Sequence, residues 1–213
     1  IEYILSRPSI RRYCNYLYQF FDFASFIECD HRINTDRLVN DKEHLLEFAI
    51  ALCEERHLTL RQIEKLFVHM RLTLRSVGEN RNIFARSAFM LIYIRATDAK
   101  LYSQIIKSEL TLQELVDKLS FIYPKTILKD NYGLTGKGVY ALAEFITNYA
   151  KGFSPNAECY IYNGNNPRLT FEAKWLNEDE LAKAIQRYYQ YDGNNNWEFI
   201  KMSIDLLNNI IRD

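Results

Sequence analysis

The feature that most constrains the fold is a helical spacing of apolar residues along most of the chain, and it is clearest in residues 60–77. Apolar residues recur there every three or four positions, which places them on one side of an α-helix. Only seven glycines and four prolines occur in 213 residues, which favours long helices over hairpins. The apolar side consists of Leu60, Ile63, Leu66, Phe67, Met70, Leu74 and Val77.

The sequence therefore predicts an all-α fold, an irregular bundle of about eight helices. A small β-hairpin is predicted near residues 158–172, where short alternating runs flank the turn-rich residues 163–166. One helical domain spanning 1–213 is expected, with a possible division into 1–123 and 124–213. The predicted helices cover residues 9–21, 41–56, 60–77, 82–95, 98–108, 112–123, 137–150, 177–190 and 196–211.

Helix ends are signalled by residues that satisfy backbone groups. Thr59 with Gln62, and Thr111 with Glu114, have the spacing of a capping box, in which each side chain binds the other residue's N–H. Leu58 and Ile63 have the spacing of a hydrophobic staple. The sequence also predicts that Asn40 caps a helix, that Asn177 with Glu180 starts another, and that Gly78 ends the helix after residue 77.

Charge is distributed unevenly in a chain of net charge zero. Residues 56–95 contain eight basic and two acidic residues, a local net charge of +6. Three interpretations remain open: a solvated helix surface, a nucleic-acid or partner surface, and a surface that faces nucleotide phosphates. The basic side of the 60–77 helix carries Arg61, Lys65, His69, Arg71 and Arg75.

Other patterns carry less information. The GLTGKG run at 133–138 lacks the spacing and the Ser/Thr of a Walker A motif, so it predicts a loop before a helix. The four cysteines match no zinc or redox spacing, which favours reduced thiols and no metal site. The apolar run 89–94 is far shorter than a membrane-spanning helix. The aromatic-rich residues 9–21 predict a packed core or a domain interface.

Residues 58–67, LTLRQIEKLF, resemble the helical region that follows the nucleotide-binding core in the KAP family of P-loop NTPases. The family repeats an L-[ST]-x-R-x-[IV]-E-[KR] helix followed by an apolar segment, which is similar here to FMLIYIR at 89–95. The similarity covers about residues 40–107. The chain begins with Ile1, so we expect a fragment of a longer protein.

The resemblance implies a C-terminal lid or effector region of a bacterial ATPase linked to signalling or phage defence. ATP and Mg²⁺ would be held by an upstream P-loop core, so this chain alone is expected to bind neither and to have no catalytic residue of its own. Arg61 and Lys65 are the expected phosphate-sensing residues. A cytoplasmic location is expected, with membrane association only through segments outside this chain.

The alternative hypothesis is a non-catalytic helical adaptor that binds a partner protein or a nucleic acid. Arg71 and Arg75 would then form the binding surface. A homo-oligomer is also compatible with this hypothesis.

Overall fold

The computed structural model describes residues 9–27, 41–76, 84–129, 138–151, 159–163, 166–192 and 204. Within these residues the predicted all-α fold is confirmed: the chain forms nine α-helices and one two-stranded antiparallel sheet. The helices are α1 (Ile10–Phe20), α2 (Ala24–Ile27), α3 (Asp41–Glu55), α4 (Leu60–Ser76), α5 (Ala85–Thr97), α6 (Ala99–Ile106), α7 (Leu112–Ile122), α8 (Gly138–Lys151) and α9 (Glu178–Asp192). The strands are β1 (Tyr160–Asn163) and β2 (Asn166–Leu169).

Helix α5 lies at the centre of the N-terminal helices. Every residue from Ala85 to Ile94 is buried, because α3, α4, α6 and α8 all pack against this helix. A helix that is covered on all sides is expected to be apolar all round. Two of its buried residues, Arg86 and Ser87, break that rule and require polar partners.

Helix α4 packs its apolar side on α5 and on α1. Phe67 is 1% exposed, and its ring contacts Phe23 and Phe89 edge to face, with centroids 5.6 and 5.5 Å apart. These three rings join α4 to the segment after α1 and to α5. The opposite side of α4, with its basic residues, is thereby directed away from the core.

The C-terminal elements form a second packing centre. All residues from Gly138 to Ala150 of α8 are buried, and α8 packs extensively on α9. The hairpin packs on α9 as well. The predicted hairpin is present, but its second strand begins at Asn166, within the residues predicted as turn. Tyr160 pairs with Leu169 and Asn163 with Asn166, so residues predicted as turn belong to the strands.

Core residues on both sides of the predicted division near residue 123 belong to one hydrophobic cluster. The buried Tyr123 also donates its hydroxyl to the Gly138 carbonyl, at 2.7 Å. The two predicted parts thus share one core among the described residues, and their division into 1–123 and 124–213 stays a prediction. A 3₁₀ helix, Thr126–Lys129, lies between the predicted helices 112–123 and 137–150.

Three helices end with a non-glycine residue in the left-handed conformation: Asp22, His57 and Ser108, with φ of 50°, 50° and 54°. After α3, the Leu58 N–H donates to the Cys53 carbonyl and the His57 N–H to the Glu54 carbonyl, the two bonds of a Schellman motif. This motif turns the chain directly into α4. The predicted roles of Asn40 and Gly78, and the predicted 196–211 helix apart from Ile204, lie outside the described residues.

Candidate functional site

The start of α4 has the predicted capping box. The Thr59 N–H donates to Gln62 Oε1 at 2.8 Å, and the Gln62 N–H donates to Thr59 Oγ1 at 3.3 Å. Ile63 is buried and Leu58 packs against the same core, as expected for the staple. Because the cap occupies the Gln62 N–H, an anion at this end would depend mainly on nearby side chains.

Arg61 and Lys65 are both exposed, and they lie one helical turn apart on the outer side of α4. Within the described part of the chain, neither side chain forms an ion pair with a carboxylate. Both charges thus remain accessible to an anion from outside. The assignment of these residues to phosphate sensing stays a prediction.

The positive field of α4 extends to its neighbour α5. The half-buried His69 has its pKa lowered by burial, and also by the charges of Arg95 and Lys65. Arg95 reaches across to the Ile204 carbonyl, to which its Nη1 donates at 2.6 Å. Burial and these two charges therefore favour the neutral form of His69.

Arg71 and Arg75 differ in their surroundings. The Arg71 guanidinium lies 3.9 Å from the ring centroid of Phe26 in α2, so this arginine is partly packed against the protein. Burial lowers the pKa of Arg71, as does Arg75, while Asp22 opposes the change. Arg75 is exposed and free of ion pairs with other described residues. Of the two, Arg75 is the more available to a ligand.

A groove of about 340 Å³ lies between α4 and the end of α1. It brings apolar, aromatic and basic side chains together, a combination that the linear sequence did not predict. Its lining consists of Phe20, Phe21 and Asp22 on one side, and of Val68, Arg71, Leu72 and Arg75 on the other.

Aromatic rings continue from this groove along α1. The rings of Tyr13, Tyr16 and Phe20 stack in series, with centroids 6.1 and 5.6 Å apart and interplanar angles of 19° and 26°. Tyr16 is 54% and Phe20 is 62% exposed, whereas Tyr18 on the inner side of α1 is buried. The inner side of α1 thus belongs to the core, as predicted, and its outer side is exposed. The predicted domain interface stays a prediction.

A buried polar cluster joins α5 to α8 and α9, and sequence analysis missed it. The Ser87 hydroxyl donates to Glu144 Oε1. Asn148 Nδ2 donates to the Glu144 carbonyl at 2.9 Å and to the Tyr188 hydroxyl at 2.8 Å. Arg86 is 4% exposed and has one buried nitrogen without a hydrogen-bond partner. In the sequence, the cluster could have been recognised only from polar residues, such as Ser87, Glu144 and Asn148, at helix positions that face the core.

His44 of α3 faces the same region. Burial, and then the charge of Arg86, lower the pKa of His44 to about 4. Its Nδ1 is buried and has no hydrogen-bond partner. This imidazole is therefore neutral in the folded protein near neutral pH.

Neither the thiols nor the carboxylates of the described residues form a metal centre. Cys14, Cys53 and Cys159 are buried and free, and no group of three or more potential ligands is found among the residues described. The hydrogen-bonded Cys14 and burial raise the pKa of Cys53, which makes its thiol unreactive. The fourth cysteine, and residues 133–137 of the GLTGKG run, lie outside the described residues.

The Glu55 carboxylate binds a segment far away in sequence, a contact that the sequence analysis did not predict. Glu55 accepts hydrogen bonds from the Lys125 N–H at 2.9 Å and from the Thr126 N–H at 2.7 Å. Burial alone would raise its pKa, but the bonds from Thr126 and Lys125 lower the pKa overall. Glu55 thus caps the 3₁₀ helix, a contact that spans about seventy positions.

Comparison with known protein families, with curated proteins and with solved structures found no match. Among the helices that the structure describes, none combines the length and apolarity needed to cross a bilayer.

Proposed function

We propose that this chain is the C-terminal helical lid or effector region of a KAP-type P-loop NTPase. In this proposal α4 faces an upstream nucleotide-binding core, and ATP binding in that core is coupled through α4 to bacterial signalling or phage defence. The core would supply the P-loop lysine and the Mg²⁺ ligands. A cytoplasmic bacterial location belongs to the same proposal.

The observation that carries the proposal is the combination at the start of α4. The LTLRQIEKLF motif forms a capped helix whose Arg61 and Lys65 are exposed and have no carboxylate partner among the described residues. An ion pair to a carboxylate would have neutralised them. Two cations on a rigid helix that pair with no carboxylate of the described residues fit an anion that reaches the chain from another domain.

The proposed role of these side chains is electrostatic. Bound nucleotide triphosphate places charge on its γ-phosphate oxygens, and an arginine that contacts them stabilises that charge. Arg61 would make this contact, and Lys65, one turn further, would contribute a second positive charge. Because the staple and the Phe67 contacts fix α4 to the core of this chain, movement of the helix would carry the bundle with it.

The first test is the coding sequence that precedes Ile1, where the proposal requires a G-x-x-x-x-G-K-[ST] motif after a buried strand. The second test is ATP turnover by the full-length protein with Arg61→Ala. Arginines that stabilise γ-phosphate charge contribute about 10³ to 10⁵ in rate, so we expect at least a tenfold loss. Lys183→Ala, an exposed cation on α9, is the matched control.

Circular dichroism and thermal unfolding should be unchanged in both variants, because both side chains are exposed. Wild-type turnover in Arg61→Ala would remove this arginine from the mechanism. Absence of the motif upstream of Ile1 would overturn the assignment to the family.

The alternative function, a non-catalytic adaptor, is favoured by a different observation: the groove that contains Arg71 and Arg75 beside exposed aromatic rings. This function requires no upstream core. It predicts that binding depends on Arg75 and is indifferent to Arg61→Ala.

A further inference from the structure

We infer that the groove between α1 and α4 is a binding site for single-stranded nucleic acid, with bases stacked on the rings of α1 and phosphates paired with the cations of α4. The inference is independent of the proposed NTPase function, because the groove is lined by Arg71 and Arg75 rather than by Arg61 and Lys65, and no nucleotide-binding core is needed. It rests on charge, on ring exposure and on the arrangement of the two helices.

The charge of this surface suits a polyanion. Helices α1 and α4 together carry six arginine and lysine residues and a single acidic residue, Glu64. One of the six, Arg11, is paired with Glu47 at 2.6 Å, and the carboxylate residue Asp22 is part of the groove lining. Even with these carboxylates counted, the surface stays positive, while the chain as a whole has no net charge.

The exposed rings supply what a purely electrostatic surface lacks. Phe20 lies in the groove with Arg75 and ends the stacked series that begins at Tyr13. A single exposed ring such as Phe121 is ordinary, whereas contiguous exposed rings such as Tyr16 and Phe20 mark an interaction surface. Aromatic faces beside a positively charged groove are the combination that non-specific single-strand binders use, because every base has a face that can stack.

The two rows of side chains repeat with the same period. Tyr16 and Phe20 are four residues apart on α1, and Arg71 and Arg75 are four residues apart on α4, so each row advances by one helical turn, about 5.4 Å for every 3.6 residues. A single strand presents a phosphate and a base at every nucleotide and therefore matches both rows. A duplex hides its bases in its own stack and would use only the cations.

An acidic protein segment is the competing occupant. It would satisfy the arginines, but the aliphatic lining of the groove consists of Val68 and Leu72 alone, and the remaining apolar lining is aromatic. Repeating flat rings beside repeating cations favour the nucleic acid.

The test is fluorescence anisotropy with a labelled twelve-residue oligothymidine and this chain at 50 mM salt. We expect binding with Kd on the order of 1–10 μM that weakens steeply with salt. Phe20→Ala should weaken binding about tenfold, equal to about 1.4 kcal/mol. Arg75→Ala should weaken binding and lower the slope of log K against log salt by about one.

Matched controls exist on other surfaces. Phe121 of α7 is 75% exposed, so Phe121→Ala removes a ring that is even more accessible than Phe20, and Lys183→Ala removes a cation from α9. Both should bind oligothymidine as the wild type does. A duplex of the same length should bind more weakly than the single strand.

Three results would overturn the inference. They are no binding of oligothymidine at 50 mM salt, equal loss in Phe20→Ala and Phe121→Ala, and displacement by poly-glutamate as effective as displacement by unlabelled oligothymidine. The last result would assign the groove to an acidic protein segment. None of these results bears on ATP turnover or on Arg61, so the two proposals fail separately.

Discussion

Acid sensitivity of the fold should originate largely from one imidazole, His44. In the folded chain the pKa of His44 is lowered to about 4 by burial and by Arg86, against an ordinary value of 6.5. Between pH 6.5 and pH 4, His44 is protonated in the unfolded chain and stays neutral in the folded chain. The contribution of His44 to stability is therefore complete above pH 6.5 and is lost progressively as pH falls towards 4.

The magnitude follows from the two pKa values. At about 1.4 kcal/mol for each pH unit, the limiting loss below pH 4 is roughly 3 kcal/mol, of which roughly 2 kcal/mol is reached by pH 5. The His44 side chain keeps some contact with solvent, which screens the effect. We therefore expect the free energy of unfolding to fall by about 1–2 kcal/mol between pH 7 and pH 5 through this group.

The measurement is urea unfolding followed by circular dichroism at pH 7 and pH 5, for the wild type and for His44→Gln. The variant should lose most of this pH dependence while its denaturant slope m stays constant. His57→Gln is the matched control, since His57 is exposed, and it should behave like the wild type. The lowered pKa of Glu55 acts below this pH range, because its ordinary value is 4.5.

His69 has its pKa lowered for similar reasons, so His69→Gln should remove a further share of the dependence. The reasoning would be refuted if His44→Gln lost the same free energy between pH 7 and pH 5 as the wild type. It would also be refuted if His57→Gln flattened the dependence as much as His44→Gln does.

Two further predictions concern stability. Phe67→Ala should lower the free energy of unfolding by about 3–5 kcal/mol, because it removes a buried ring in contact with two others. Thermal unfolding measures this change, with Phe121→Ala as the exposed-ring control. An effect no larger than that of Phe121→Ala would contradict the central position of Phe67. His57→Gly should raise the free energy of unfolding by up to about 1 kcal/mol, because glycine avoids the roughly 1–2 kcal/mol cost of the left-handed conformation but loses more backbone entropy on folding. Urea unfolding measures the change, with Lys183→Gly in the α9 interior as the destabilised control. A loss of stability in His57→Gly would contradict the assigned helix end.

Features that depend on neighbours in sequence were predictable. The boxes of Thr59 with Gln62 and of Thr111 with Glu114 both form as the spacing indicates. Asn177 also caps α9, accepting from the Glu180 N–H at 3.2 Å. Each of these bonds spans three residues, so the local sequence contains both partners.

Helix ends were less predictable where the residue was not glycine. His57 and Ser108 adopt the conformation that glycine usually supplies, and their identity carries no such signal. The capping of the 3₁₀ helix by Glu55 was missed because its donors, Lys125 and Thr126, are far away in sequence.

The same distinction applies to the candidate site. The sequence by itself determined that α4 exists, where it begins and which of its sides is basic, because capping bonds and helical period act within four residues. Only the tertiary structure decided that Arg71 packs on Phe26 and that Arg75 and Phe20 line the same groove. It also decided that Arg61 and Lys65 form no ion pair with a carboxylate of the described residues. Those outcomes depend on which distant helices pack together, and helix packing is set by the whole core rather than by any local run of residues.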